Sequence, residues 1–287
     1  MIFAEKIPPL MSSENIDSDP VKKQFYYSIL EEQEDPNFCL DPLQEENFKI
    51  TENMLHKYHG RALLLTTPNC AMNCRFCFRR HMEIPDKKDF TEEISYISHN
   101  TVIKEIILSG GDPLMMNREK LYALIRKFDA IPHLKVIRIH TRAPMGIKNI
   151  IDDKLMQILS SISKQVIFVL HINHAEELSC HAIENIEKLK ANNILLFSQS
   201  VLLKDVNDDI ATLQTLFEKL IELHIIPYYL HQLDKISGAS HFYVKKEKGI
   251  KLYEELRAKI SGYCLPRYVE EKPHEKSKTP IYNPKAL

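Results

Sequence analysis

The sequence predicts an α/β fold, a partial parallel (β/α)6 barrel with a short N-terminal helical region and a C-terminal tail that closes over its mouth. Six short apolar runs rich in Ile, Val, Leu or aromatics lie between residues 62 and 231, as strands buried on both faces require. Amphipathic stretches separate them, and alternation of strand and helix gives a parallel sheet. Six units fall short of the eight that close a full barrel, which leaves an open one.

Residues 1–60 are polar, Pro-containing and weakly periodic, with short helices expected near Val21–Glu32. The texture changes at Arg61. The strand candidates are Ala62–Thr66, Glu105–Leu108, Lys135–His140, Val166–His171, Ile194–Ser198 and Ile225–His231. Helix candidates between them are Arg118–Phe128, Asp153–Ser160, Ala182–Ala191 and Asp208–Leu223. In the last, Ile210, Leu213, Leu216, Phe217 and Leu220 recur at spacings of three and four, one helical face. One more helix follows Gly249 and runs to about Ile260. The tail Ser261–Leu287 is basic and Pro-rich and reads as an extended arm. The chain thus divides into an N-terminal region (1–60), a barrel (61–235) and a C-terminal helix with its tail (236–287).

Composition removes several classes. The 287 residues carry 38 Lys and Arg against 39 Asp and Glu, a net charge of −1, with 44% apolar and 27% charged residues. That balance excludes a disordered chain and leaves no basic excess for a nucleic acid. No apolar run approaches the ~18 residues of a membrane span. The start, MIFAEKIPPL, lacks a charged segment followed by an apolar one, so no signal peptide is expected. Three of the six cysteines fall within eight residues and three are scattered, unlike a disulfide framework. A reducing cytoplasm is expected.

The strongest chemical signal is Cys70-Ala-Met-Asn-Cys74-Arg-Phe-Cys77, just after the first strand. Thiolates bind soft metals and iron–sulfur clusters. Three clustered cysteines leave one iron of a [4Fe–4S] cluster without a local protein ligand and open to a small molecule. Structural zinc ordinarily takes a second ligand pair, and none is evident. A zinc site completed from a distance, or three unrelated thiols, are the plainer alternatives. Ser109-Gly110-Gly111-Asp112-Pro113 ends the second strand, where sites gather in parallel α/β folds. Paired glycines let backbone approach a ligand closely; the plainer alternative is a strand-to-helix turn with Asp112 as cap. Cys39, Cys180 and Cys264 read as small packing residues. His231 and His241 lie near the proposed mouth in plain polar roles.

Cys70-x3-Cys74-x2-Cys77 after the first of about six βα units resembles the radical S-adenosylmethionine (SAM) superfamily. Further segments narrow the resemblance: Lys57-Tyr58-His59-Gly60-Arg61, Phe78-Arg79-Arg80-His81, Arg138-Ile-His-Thr-Arg142, His171-Ile-Asn173-His174, Gln199 through Asn207, Pro227 through Asp234, Gly238-Ala-Ser-His241 and Ser277-Lys278-Thr-Pro. Together they resemble lysine 2,3-aminomutases, nearest the short bacterial subgroup that makes (R)-β-lysine for modifying elongation factor P. The resemblance runs from about residue 20 to the end.

That resemblance implies the following roles. Cys70, Cys74 and Cys77 hold a [4Fe–4S] cluster whose open iron takes SAM. Gly110, Gly111 and Asp112 form the segment that meets the SAM amino group, and His171 and Gln199 lie near SAM. Lys278, the catalytic lysine, holds pyridoxal 5′-phosphate (PLP). Arg61 binds the PLP phosphate, with Tyr58 packed beside the cofactor. Arg79 clamps the substrate carboxylate, and Asp234 pairs with the ε-ammonium of lysine. The implied reaction is isomerisation of L-α-lysine to β-lysine by a 1,2-shift of the amino group. A reductant of flavodoxin or ferredoxin type would serve the cluster, and elongation factor P would be the downstream partner.

Two departures stand out. The free-lysine aminomutases carry a second acid and a glycine run shortly before the PLP lysine. Here Val269–Lys278 has neither Asp nor glycine, and Glu270 or Glu271 is the candidate substitute. The distal zinc-binding cysteines of the longer enzymes are also absent. Other readings are an aminomutase for another amino acid or for free β-lysine, a non-catalytic iron–sulfur or zinc module, and a radical SAM activase without PLP.

Overall fold

A computed structural model describes residues 3–12, 16–86, 89–192 and 194–282. The end of the predicted tail, residues 283–287, lies outside them. Among the described residues the strands form one sheet in sequence order. β1 (Lys49–Thr51) and β2 (Met54–Tyr58) enter antiparallel. β3 (Arg61–Leu65), β4 (Glu105–Ser109), β5 (Val136–Thr141), β6 (Gln165–His171), β7 (Leu195–Leu202) and β8 (Ile226–Gln232) then run parallel to one another. β9 (Arg267–Glu270) adds a further parallel strand beside β8, and β10 (Thr279–Pro280) folds back on it. Each of the six strand candidates forms a strand.

Helix α1 (Asp19–Lys23) precedes the sheet, and α2 (Thr91–His99), α3 (Arg118–Asp129), α4 (Ala143–Gly146), α5 (Asp153–Ser161), α6 (Cys180–Lys190) and α7 (Ile210–Glu222) fill the crossovers. α8 (Lys246–Lys259) follows β8. Local chemistry starts these helices where it should. Asn117, Asp152, Ser179 and Asp209 each accept a hydrogen bond from the backbone N–H three residues on, which satisfies a helix-end donor. None of these helices is long and apolar enough to cross a membrane.

The extended arm differs from expectation in joining the sheet. Tyr268 and Val269 are both buried, but the segment between Pro266 and Pro273 is too short to show a period. A second difference concerns the core. Ile106, Leu108, Ile137, Ile139, Phe168 and Leu170 point outward and share one buried cluster with helix residues such as Leu121, Phe128, Leu155, Ile186 and Phe217. The alternate positions point inward and are largely polar: Arg61, Ser109, Arg138, His140, His171, Gln199, Tyr229 and His231 line a cavity inside the barrel. The strands are therefore apolar on the helix side and wet on the other, as a pleat of period two allows. A third correction is that Cys39 and Cys180 are exposed, so only Cys264 is a packing residue. Cys180 opens α6 on its exposed side, while Ala182 in the same turn is buried in the core.

Polar packing ties the cysteine loop to the strand ends. Arg142, just past β5, donates from Nη2 to Gln24 Oε1 at 2.6 Å and to Glu177 Oε2 at 2.7 Å, and from Nη1 to Cys74 Sγ at 2.8 Å. Asn173 Nδ2 meets the same Gln24 oxygen at 2.9 Å, and Asn207 Nδ2 donates to the Asn173 carbonyl at 2.9 Å. All five anchors (Gln24, Arg142, Asn173, Glu177 and Asn207) are buried. Removing one charge of a buried pair strands the other. Glu177→Ala is therefore expected to lower unfolding stability by about 3–5 kcal/mol, measured by denaturant titration; a loss under about 1 kcal/mol would show that Arg142 is solvated instead.

Candidate active site

A cavity of about 430 Å³ occupies the barrel interior, within the range of a cofactor site. It brings together Cys70, Cys74, Cys77, Gly110, Gly111, Asp112, His171, Gln199, Arg61, Tyr58, Arg79, Asp234 and Lys278. Every site residue expected from the sequence thus lines one space, and so does His231. His241 sits apart, half-buried against the Phe242 ring at 4.1 Å.

The three thiols sit on the loop after β3. Burial pushes Cys70 up to about 12 and Cys74 and Cys77 up to about 11. Arg142 works against this at Cys74 through its charge and its hydrogen bond. A bound cationic cluster reverses such shifts, since metal ligation needs the thiolate. Among the described residues no three Cys, His, Asp or Glu side chains converge on a single-ion position. Thiolates that each take a different iron have no need to converge, so the loop fits a cluster better than one zinc ion.

The glycine segment works differently from the simple expectation. Gly110 has φ +120°, and a Cβ on Gly111 would lie 2.2 Å from the Asn69 carbonyl. The close approach they permit is to the chain itself: Gly111 N donates to Thr67 O and Asp112 N to Asn69 O, both at 2.8 Å. The Asp112 carboxylate is spent internally. It caps a 3-10 turn through Leu114 N at 3.0 Å, and it accepts from Thr141 Oγ1 at 2.7 Å, Arg142 N at 2.8 Å and Ala143 N at 3.0 Å. The Asp112 carboxylate therefore ties the β4 and β5 ends together beside the cysteine loop.

A two-residue connection, His59-Gly60, sets Tyr58 opposite Arg61 in the β2–β3 pair. The Arg61 guanidinium stacks 4.2 Å from the Tyr58 ring centre. It has no hydrogen-bond or ionic partner among the described residues, so its planar fork is open to an anion such as a phosphate. Lys278 Nζ donates to Glu271 Oε2 at 2.6 Å and lies over the Tyr229 ring. Lys57 Nζ and the Tyr58 hydroxyl share the other Glu271 oxygen. Burial alone would raise Glu271, but Lys278, Lys57 and Tyr58 outweigh it and hold it at about 2. Glu270 instead pairs with Lys246 and Lys272, so Glu271 is the acid in the site. Lys57 belongs to the Lys57–Arg61 motif and Glu271 to the departing segment Val269–Lys278, and no spacing in the sequence joins the two.

His140, His171 and His231 each bury an Nε2 with no partner. Burial first, then nearby cations, holds all three well below the usual imidazole range. Unpaired buried nitrogens around a cavity call for a polar ligand, which fits a nucleoside and a phosphate-bearing cofactor. Asp234, past the end of β8, has a half-buried carboxylate with no hydrogen bond or ion pair among the described residues. Burial pushes it up to about 7, with Lys278 acting against and Glu271 and Glu45 adding.

A three-cysteine loop on the first βα unit of an open parallel barrel defines a radical SAM protein, and residues 64–216 match the family model described as the Radical SAM superfamily. The barrel also resembles solved structures. That of Streptococcus suis SuiB bound to S-adenosylmethionine has a TM-score of 0.55 at 14% identity over 78% of this chain and 52% of that one. That of a radical SAM methyltransferase from Sphaerobacter thermophilus has a TM-score of 0.51 at 17% identity, over 75% and 68%. Curated relatives are much nearer in sequence. The L-lysine 2,3-aminomutase of Haemophilus influenzae is 42% identical over 91% of this chain and 78% of its own length. That of Escherichia coli is 39% identical over 98% and 84%. The chain belongs to the L-lysine 2,3-aminomutase family of the radical SAM superfamily.

The raised Asp234 gives a signed prediction. A carboxyl that ionises near 7 in the fold and near 4 when unfolded destabilises the ligand-free fold progressively as pH rises from about 4 to about 7, with no further change above. Asp234→Asn should then raise Tm at pH 8 and leave it unchanged below pH 4. An ammonium ligand needs the ionised form, so its affinity should rise about tenfold per pH unit up to 7 and level off above, and calorimetric titration across pH 5.5–8.5 reads both the slope and its loss in the variant.

Proposed function

We propose that this chain is a radical SAM, PLP-dependent isomerase that converts L-α-lysine to (R)-β-lysine, and that the product serves modification of elongation factor P. The observation that carries this reading is one cavity holding a three-cysteine loop, a tail lysine, an open guanidinium and an unpaired carboxylate. Cys70, Cys74 and Cys77 would hold the cluster, with His171 and Gln199 beside SAM. Lys278 would hold PLP and Arg61 its phosphate, with Lys57 adding charge and Tyr58 packing. When bound, these groups supply one-electron bond cleavage and a conjugated system that spreads an unpaired spin.

The chain's own work is positioning. Asp234 takes the ε-ammonium and Arg79 the carboxylate, so the two ends of lysine fix its length and present the reacting carbons. Glu271 stands where the second acid is needed, and engagement of Lys278 by the cofactor leaves one Glu271 oxygen free to join Asp234. The N-terminal region (1–60) and the C-terminal region (236–287) act as covers on the barrel (61–235). Lys57 and Tyr58 reach Glu271, and Gln44 reaches His274 at 2.9 Å. A flavodoxin or ferredoxin would reduce the cluster.

The test is anaerobic iron reconstitution, incubation with PLP, borohydride reduction and peptide mapping. About four irons per chain, reduced PLP on Lys278 and β-lysine from L-lysine are expected, with chiral analysis giving the R form. Lys278→Ala should lose the adduct and at least 10³-fold of turnover. Iron and SAM cleavage without an adduct would favour an activase. Asp234→Ala should raise the KM for lysine at least tenfold; unchanged lysine turnover would overturn the substrate assignment.

A further inference from the structure

We propose that the substrate carboxylate is received jointly by Arg79 and the Ser109 hydroxyl, and that Glu45 is the positioning residue that turns Arg79 towards it. The proposal rests on the aminomutase reading above and deepens it.

The Arg79 guanidinium is held along one edge. Nε and Nη2 donate to Glu45 Oε2 and Oε1 at 2.9 and 2.7 Å, and Nη1 donates to Ser109 Oγ at 3.1 Å. The ion pair is 9% and 12% exposed, so this fork-to-fork contact fixes the plane of the ring-like group. A guanidinium has five N–H donors. Three are engaged, which leaves one on each terminal nitrogen. Ser109 Oγ accepts from Arg79, and its own proton has no acceptor among the described residues. Three donors without acceptors therefore stand together on the cavity wall, which both residues line. A carboxylate offers two oxygens and about four lone-pair sites, enough to satisfy all three donors.

Glu45 comes from the 3-10 turn Glu45–Phe48 of the N-terminal region, so a segment outside the barrel sets the aim of a residue on the cysteine loop. The Arg79–Glu45 pair is neutral as a unit. The site thus attracts a carboxylate through directed donors rather than through a net positive charge. A zwitterionic amino acid, whose ammonium offsets its own carboxylate, suits such a site better than a free inorganic anion.

The experiment titrates reconstituted holoenzyme with L-lysine and with L-lysinamide, which lacks the carboxylate, reading calorimetric Kd and the split of KM from kcat. Ser109→Ala should weaken L-lysine about tenfold and leave L-lysinamide within about twofold, with KM moving more than kcat. Glu45→Gln, which keeps shape but offers one acceptor oxygen in place of two, should also lower the preference for lysine over lysinamide. Equal weakening of both ligands, or none, in Ser109→Ala overturns the proposal whether or not the Glu45 variant folds. Arg79→Met separates the two levels. If it keeps the lysine preference, the Arg79 clamp itself falls. If it abolishes the preference while Ser109→Ala and Glu45→Gln retain it, only this proposal falls.

Discussion

One buried guanidinium holds the cysteine loop to the barrel. Arg142 meets Cys74, Gln24 and Glu177 at once, and its own backbone N–H is fixed by Asp112. A cation taken out of water is tolerated only when paired and hydrogen-bonded. Glu177 supplies the pairing charge, and burial, which would lower the Arg142 pKa, is outweighed by Cys74 and Glu177. The same contact places a positive charge beside the Cys74 thiol, which opposes in part the upward push of burial. The position of Cys74 is thus tied to one side chain, and Asn173 and Asn207 carry the restraint on to β7.

The open barrel follows a similar economy. Among the described residues its sheet does not close by backbone pairing, and two sheet ends would leave an unsatisfied gap. Side chains span it: Lys57 and Tyr58 at the end of β2 meet Glu271 just past β9, and the Phe48 ring lies 5.6 Å from that of His274. The gap is therefore covered by ionic and aromatic contacts that can part for a ligand more readily than a strand ladder. The interior stays polar because inward positions carry Arg, His, Gln and Tyr, which need partners when buried. Three imidazoles with an unpaired Nε2 and one carboxylate without an ionic partner among the described residues mark where a polar ligand would fit.

The charge pattern within the cavity divides the labour. Glu271 is held ionised by two ammonium groups, whereas Asp234, with no direct partner, is pushed up to about 7. Two acids facing the same space thus ionise in different pH ranges. The first pairs with the tail lysine, and the second has no ion pair among the described residues.

Much of this was legible along the chain. Periodicity places the six central strands to within a few residues, because a pleat and a helix each repeat locally. The Cys70–Cys77 spacing carries the metal loop, because its ligands are neighbours in sequence. The resemblance named Lys278, Arg61, Arg79 and Asp234, and all four line the cavity. Only the tertiary structure decided their partners. Arg79 and Glu45 lie 34 residues apart, and Tyr58 and Glu271 lie 213 apart, beyond any local pattern. Glu270 and Glu271 are alike in sequence, and the register of a four-residue strand beside β8 turns one outward and the other in. The glycines at 110 and 111 likewise read as open to a ligand until folding brings Thr67 and Asn69 against them. Chemistry carried by neighbours is written in spacing; chemistry carried by distant pairs exists only once the chain has closed on itself.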